Sequence, residues 1–160
     1  MPNWCDNTVT IVAPQDVIDG LVLELEREDG CQLLEHMVPL GEWDYEKSVE
    51  NWGTKWDVTP HSWDRNGDCE ITISFDSAWS PPLKAYETFL DKIDDDNVSL
   101  KAYYHEPGMC FAGYYENGID EYYEWDSPKD MKETVPEFLR DFYDLDTWYD
   151  EWENEEDDVA

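Results

Sequence analysis

Polar and apolar residues alternate along residues 69–75, with Cys69, Ile71, Ile73 and Phe75 on one side and Glu70, Thr72 and Ser74 on the other. A period of two predicts a strand with one wet face. Residues 7–12 (NTVTIV) alternate in the same way and are rich in β-branched side chains, which suit a pleated surface. Residues 98–104 repeat the pattern, and residues 109–115 and 119–125 are extended runs on either side of Asn117-Gly118. That pair, like Asn66-Gly67, is a hairpin signal, because both residue types tolerate the positive φ of a tight turn. Over residues 15–27, Val17, Ile18, Leu21, Val22 and Leu25 recur at helical spacing, and Gly30 stops the run. Leu83, Tyr86, Phe89, Leu90 and Ile93 predict a second helix, with Ser80 as its cap and Pro81 in its first turn.

Residues 31–66 follow neither period. Leu33, Leu34, Met37 and Val38 make a short apolar turn, and Trp43, Tyr45, Trp52, Trp56 and Trp63 are scattered among glycines and a proline. The segment reads as an ordered excursion with one strand near residues 54–58 entering the sheet. The order then becomes strand, helix, strand, strand, helix, strand, followed by a hairpin extension. This predicts an α+β protein: a ferredoxin-like βαββαβ antiparallel sheet with its helices on one face. Beyond Ser127-Pro128 the composition turns acidic. Thr134-Val-Pro-Glu137 reads as a capping box opening one long acidic C-terminal helix. Val135, Phe138, Leu139, Phe142, Leu145, Tyr149 and Trp152 form its apolar stripe, to be docked on the domain.

Four stretches resemble a known family: Met1-Pro-Asn-Trp-Cys-Asp-Asn7, Asn51-Trp-Gly-Thr-Lys-Trp-Asp57, Ala78-Trp-Ser-Pro-Pro82 and Glu106-Pro-Gly-Met-Cys-Phe-Ala-Gly113. In this order they look like the YubB-type ferredoxin-like proteins of phages, plasmids and integrated elements. The resemblance covers residues 1–126, taken as the domain, and leaves 127–160 as the appended acidic helix. It implies the fold and a mobile-element origin, but no agreed activity and no catalytic residues.

Charge is the extreme feature. The chain carries 41 acidic against 10 basic residues, a net charge of -31. Such a surface repels nucleic acid and anionic lipid, which are held by lysine and arginine, and attracts basic partners. Cys5, Cys31, Cys69 and Cys110 form no C-x-x-C pair. Cys5 and Cys69 fall in predicted strands and are expected to pack in the core. No leader is visible, and no stretch approaches the ~20 apolar residues of a membrane span, so a cytoplasmic protein with reduced thiols is expected.

Candidate chemistry follows from the acidic helix and from the aromatics. Glu137, Asp141, Asp144, Glu151 and Glu155 share one helical face, and Asp146, Asp150 and Glu153 another. Carboxylates three or four residues apart lie ~5–6 Å from one another, a spacing comparable with phosphates along a nucleic-acid strand. The expected role is mimicry of nucleic-acid charge against a basic host protein, either nucleic-acid-binding or defence-related. The alternatives are a merely solvated face or a dimerisation helix. Aromatics are 15% of the chain, and a second function class is a pocket that stacks a flat, nucleotide-like ligand on Trp52, Trp56, Trp79, Phe111 and Tyr114. Lys55 and Arg65 would supply charge there, with Lys84 a third scarce cation. Simple core packing of the same rings is the competing reading. No phosphate loop or dinucleotide fingerprint is present. No catalytic residue, cofactor or metal is assigned, and a non-enzymatic binding protein is expected.

Overall fold

The structure is a computed structural model describing residues 3–93 and 95–150. It is α+β, with a six-stranded open antiparallel sheet in the order β2-β3-β1-β4-β5-β6. The strands are β1 (Trp4–Val12), β2 (Ser62–Arg65), β3 (Glu70–Ala78), β4 (Ser99–Glu106), β5 (Phe111–Glu116) and β6 (Ile119–Glu124). Between β1 and β2 lie helices α1 (Gln15–Leu25), α2 (Leu33–Met37) and α3 (Tyr45–Trp52). Helix α4 (Leu83–Lys92) joins β3 to β4. After β6 come α5 (Pro128–Thr134) and α6 (Glu137–Tyr143), and then α7, helical over residues 145–150.

Strand alternation sorts the side chains. On β1, Cys5, Asn7, Val9 and Ile11 are buried and the residues between them are not. Val9 and Ile11 meet Ile73 and Ile71 of β3 and Ala102 and Leu100 of β4 in register. These residues form the main core with Ile18 and Leu21 of α1, Leu33, Leu34 and Met37 of α2, Trp52 of α3 and Tyr86 and Phe89 of α4. Asn117 and Gly118 have φ of 48° and 96°, which closes β5 on β6 as a two-residue hairpin.

The opposite face is also covered. Met131, Val135, Leu139, Leu145 and Tyr149 pack with Ala112 and Trp125 as a second cluster. His105 is buried beneath this layer, with ring centres 5.2 Å from Tyr143 and 6.2 Å from Trp125. Burial pulls its pKa down to about 4. Helices therefore occupy both faces of the sheet, not one, because β4 and β5 carry buried side chains on both sides.

Several local expectations are corrected. The second sheet strand is Ser62–Arg65 rather than 54–58, and Tyr45–Trp52 is a helix capped by the Asp44 side chain, which accepts from the Lys47 N–H at 3.1 Å. Ser80 does not cap α4. Two prolines follow it, the helix starts at Leu83, and the Ser80 hydroxyl donates to the Gly53 carbonyl at 2.6 Å instead. Cys5 is fully buried but Cys69 is exposed, one residue before β3 begins.

The capping box is displaced too. Ser127 caps α5 with Pro128 in its first turn, and Thr134 is that helix's last residue. Pro136 holds Val135 extended, so α6 begins afresh at Glu137. The long helix is broken again at Asp144, which is left-handed at φ 52°. Among the described residues no helix is long and apolar enough to cross a membrane.

Candidate functional site

The site begins where β3 runs out. Trp79 has φ 71°, a conformation that bulky side chains rarely adopt and that costs roughly 1–3 kcal/mol. Hydrogen bonds from three directions hold it there. The Trp79 N–H donates to the Asn3 carbonyl at 2.8 Å, and Thr54 donates to the Ala78 carbonyl at 2.8 Å. Ser77 donates to the Ser80 carbonyl at 2.7 Å and itself accepts from the Asn7 amide at 2.8 Å. The backbone is pinned and the indole is left 43% exposed.

That indole lines a cleft of about 500 Å³. Gly53, Ser80 and Pro81 flank it, Leu83 and Lys84 come from the start of α4, and Tyr104, Met109, Phe111, Asp120 and Tyr122 form the far side. Thus Asn3 and the stretches 51–57, 78–82 and 106–113 all meet here. Phe111 lies 5.3 Å from Tyr122 and 6.1 Å from Tyr104, ring centre to ring centre. The Tyr104 hydroxyl donates to Asp120 at 2.6 Å. Burial, then the Asp120 carboxylate, raises the Tyr104 pKa, and burial raises that of Asp120 against the pull of this hydrogen bond. Apolar walls with a lysine, a carboxylate and the two phenols of Tyr104 and Tyr122 suit recognition of a planar ring. Among the described residues no histidine or cysteine lines the cleft, and the Ser80 hydroxyl donates to the Gly53 carbonyl.

Of the ring-binding residues expected from sequence, the structure brings together Trp79 and Phe111, and adds Lys84. The others lie elsewhere. Trp52 is a core residue whose indole N–H donates to the Val38 carbonyl at 2.9 Å. The Lys55 ammonium sits over the Trp56 ring at 4.5 Å, and Trp56 lies against Trp4. Arg65 pairs with Asp19 at 2.6 Å and donates to the Gly67 and Asp68 carbonyls. Tyr114 lines a separate hollow with Glu116, Asn117, Ile119 and Glu121. Sequence reasoning missed Tyr104, Asp120 and Tyr122. Counting back from the Asn117-Gly118 turn places Tyr122 opposite Gly113, itself opposite Tyr104, and that count was the available signal.

The acidic residues divide. Glu137, Asp141 and Asp144 are exposed, with no cation beside them among the described residues. Asp146 is held by Arg140 at 3.0 Å and Asp150 by Lys132 at 2.7 Å. The break at Asp144 separates these two from the first three. Glu151, Glu153 and Glu155, with Trp152 of the apolar stripe, lie outside the described residues. Phe138 and Phe142, expected in the docked stripe, are about half exposed, with Phe142 stacked on Tyr103 at 4.0 Å.

Away from the cleft, Asp6, His61 and Asp76 converge, with one ligand atom from each lying within 4.8 Å of the others. Among the described residues, no such convergence includes a cysteine.

No family model matches the chain, and no curated protein matches it. A crystal structure of a protein api92 from Yersinia pseudotuberculosis, of the family DUF1281, is similar at a TM-score of 0.42 and 17% identity. The match covers 61% of this chain and 41% of that one, so the chain spans less than half of the structure it resembles.

Proposed function

We propose that this is a binding protein whose site is the Trp79 cleft, and that it takes a flat heteroaromatic ring such as a nucleobase. The observation that carries this reading is the strained, pinned Trp79, whose backbone is held in an unfavourable state and whose indole is turned out into the cleft. Strain maintained by surrounding hydrogen bonds marks functional positions. The strand order β2-β3-β1-β4 supports a ferredoxin-like core of YubB type; three of the four stretches that carry that resemblance line this cleft, and the first meets Trp79 through the Asn3 carbonyl. Among the described residues Lys84 is the one cation lining it, and the protein's net charge is -31, so a neutral base or nucleoside is favoured over a phosphorylated one. Mass spectrometry of gently purified protein and quenching of Trp79 fluorescence by nucleosides test this. Quenching that is lost in Trp79→Ala is the expected result. No co-purifying molecule and no difference between the two proteins would sink it.

A second reading rests on Glu137, Asp141 and Asp144, which are exposed with no cation beside them among the described residues. On this reading a mobile-element protein presents them to a basic, nucleic-acid-handling host protein and blocks its groove. Salt-sensitive capture of a DNA-binding host protein, abolished when the three residues become lysine, is expected. Capture that survives the triple change would remove this surface from consideration.

A further inference from the structure

We propose that Asp6, His61 and Asp76 form a site for a single divalent transition-metal ion, with Zn²⁺ the best match to the ligand set. The register of the sheet brings the three together. Asp6 and Asp76 are direct partners across the β1–β3 pair, on the face away from the main core. The His61 N–H donates to the Ser74 carbonyl at 3.0 Å, which hangs the imidazole beside β3 two residues before Asp76. Among the described residues none of the three side chains makes a hydrogen bond or ion pair outside the trio.

The arrangement is unfavourable without a cation. Like charges directly opposite on a sheet face repel. Asp6 is half-buried and stands directly across from the Asp76 carboxylate. A metal ion removes that repulsion and replaces the lost solvation.

Two carboxylates and an imidazole are a ligand set that zinc accepts, with three protein ligands and an open fourth position. The open side has somewhere to face. His61 and Asp76 line a hollow of about 350 Å³ with Trp4, Asp57, Val58 and Thr59, and it shares no residue with the Trp79 cleft. Asp57 is not a free fourth ligand, because its carboxylate accepts from the Leu34, Glu35 and Val58 N–H groups at 2.7–3.0 Å. The fourth position is left to water or a small ligand. Tetrahedral zinc with bonds near 2.0–2.2 Å sets neighbouring ligand atoms roughly 3.3–3.6 Å apart. Closing the 4.8 Å spread calls for rotation of His61 and Asp76, both of which are exposed.

The test must separate this site from general attraction of cations to an acidic protein. Zinc is titrated calorimetrically into wild type, His61→Ala and Asp76→Asn in excess Mg²⁺, which occupies nonspecific carboxylates. His61→Ala leaves the carboxylate count unchanged. One zinc per chain is expected, weakened in both variants by at least the roughly 10–100-fold that loss of an outer-shell partner costs. In wild type, the ring resonances of His61, one of three histidines, should shift on zinc addition while those of His36 and His105 stay in place. Equal zinc affinity in wild type and His61→Ala, or unmoved His61 resonances at saturating zinc, overturns the proposal.

Discussion

The ring of Tyr104 lies directly over Gly113, its cross-strand partner in β5, and a β-carbon at Gly113 would collide with the phenol. The glycine is what lets the Tyr104 hydroxyl reach Asp120 at the base of the cleft. Gly113→Ala should therefore displace the ring and break that hydrogen bond. Overpacking of this kind costs about 1–3 kcal/mol, readable as a lowered denaturant midpoint at unchanged slope.

Trp79→Gly separates the cost of strain from the use of the ring. Glycine adopts φ 71° freely, so relief of the strain, roughly 1–3 kcal/mol, offsets loss of the buried part of the indole. Stability should stay near that of wild type by chemical denaturation, with nucleoside binding lost. A large destabilisation would mean that the indole is structural.

His105 ties stability to pH. Its folded pKa of about 4 lies below the ordinary value of 6.5, so the native state keeps it neutral. Its contribution is complete above pH 6.5 and is lost as pH falls through that window towards 4, about 3 kcal/mol in full. Acid also relieves repulsion among the carboxylates, so the difference between wild type and His105→Phe is the quantity to follow. That difference should shift in favour of the variant between pH 6.5 and 4, by denaturation at stepped pH.

Leu139 is fully buried in the second cluster. Leu139→Ala should cost ~2–5 kcal/mol, with one unfolding transition by both tryptophan fluorescence and far-ultraviolet dichroism. Two separated transitions would show the carboxyl-terminal layer to be an independent unit.

The strands other than β2 were legible because each carries its own period. Ile71, Ile73 and Phe75 alternate whatever packs on them, and Asn117-Gly118 names its turn type. Helix α3 was hidden because its inward positions are Ser48 and Trp52, and a serine does not register as apolar. In the carboxyl-terminal segment the spacing of apolar residues survived while the continuous helix did not. Val135, Leu139, Leu145 and Tyr149 are all buried, yet Pro136 and the left-handed Asp144 redirect the chain between them. Side-chain spacing reports which residues go inward, and it is silent on turns that preserve the count. Trp79 and Phe111 could be suspected as pocket-lining rings, but pairing them with Tyr104 and Asp120 required the register of three strands. Asp6, His61 and Asp76 are 55 and 15 residues apart and no local spacing joins them.

Among the described residues no strand pairs with the outer side of β6, Ile119-Asp-Glu-Tyr-Tyr-Glu124, which forms a border of the open sheet. Such a border invites another chain to extend the ladder. Three carboxylates in six residues make every approaching twin strand bring anion against anion. Acidity thus also works here as a fence, and neutralising it with acid or binding it with polycations would open the route to fibril growth from that margin.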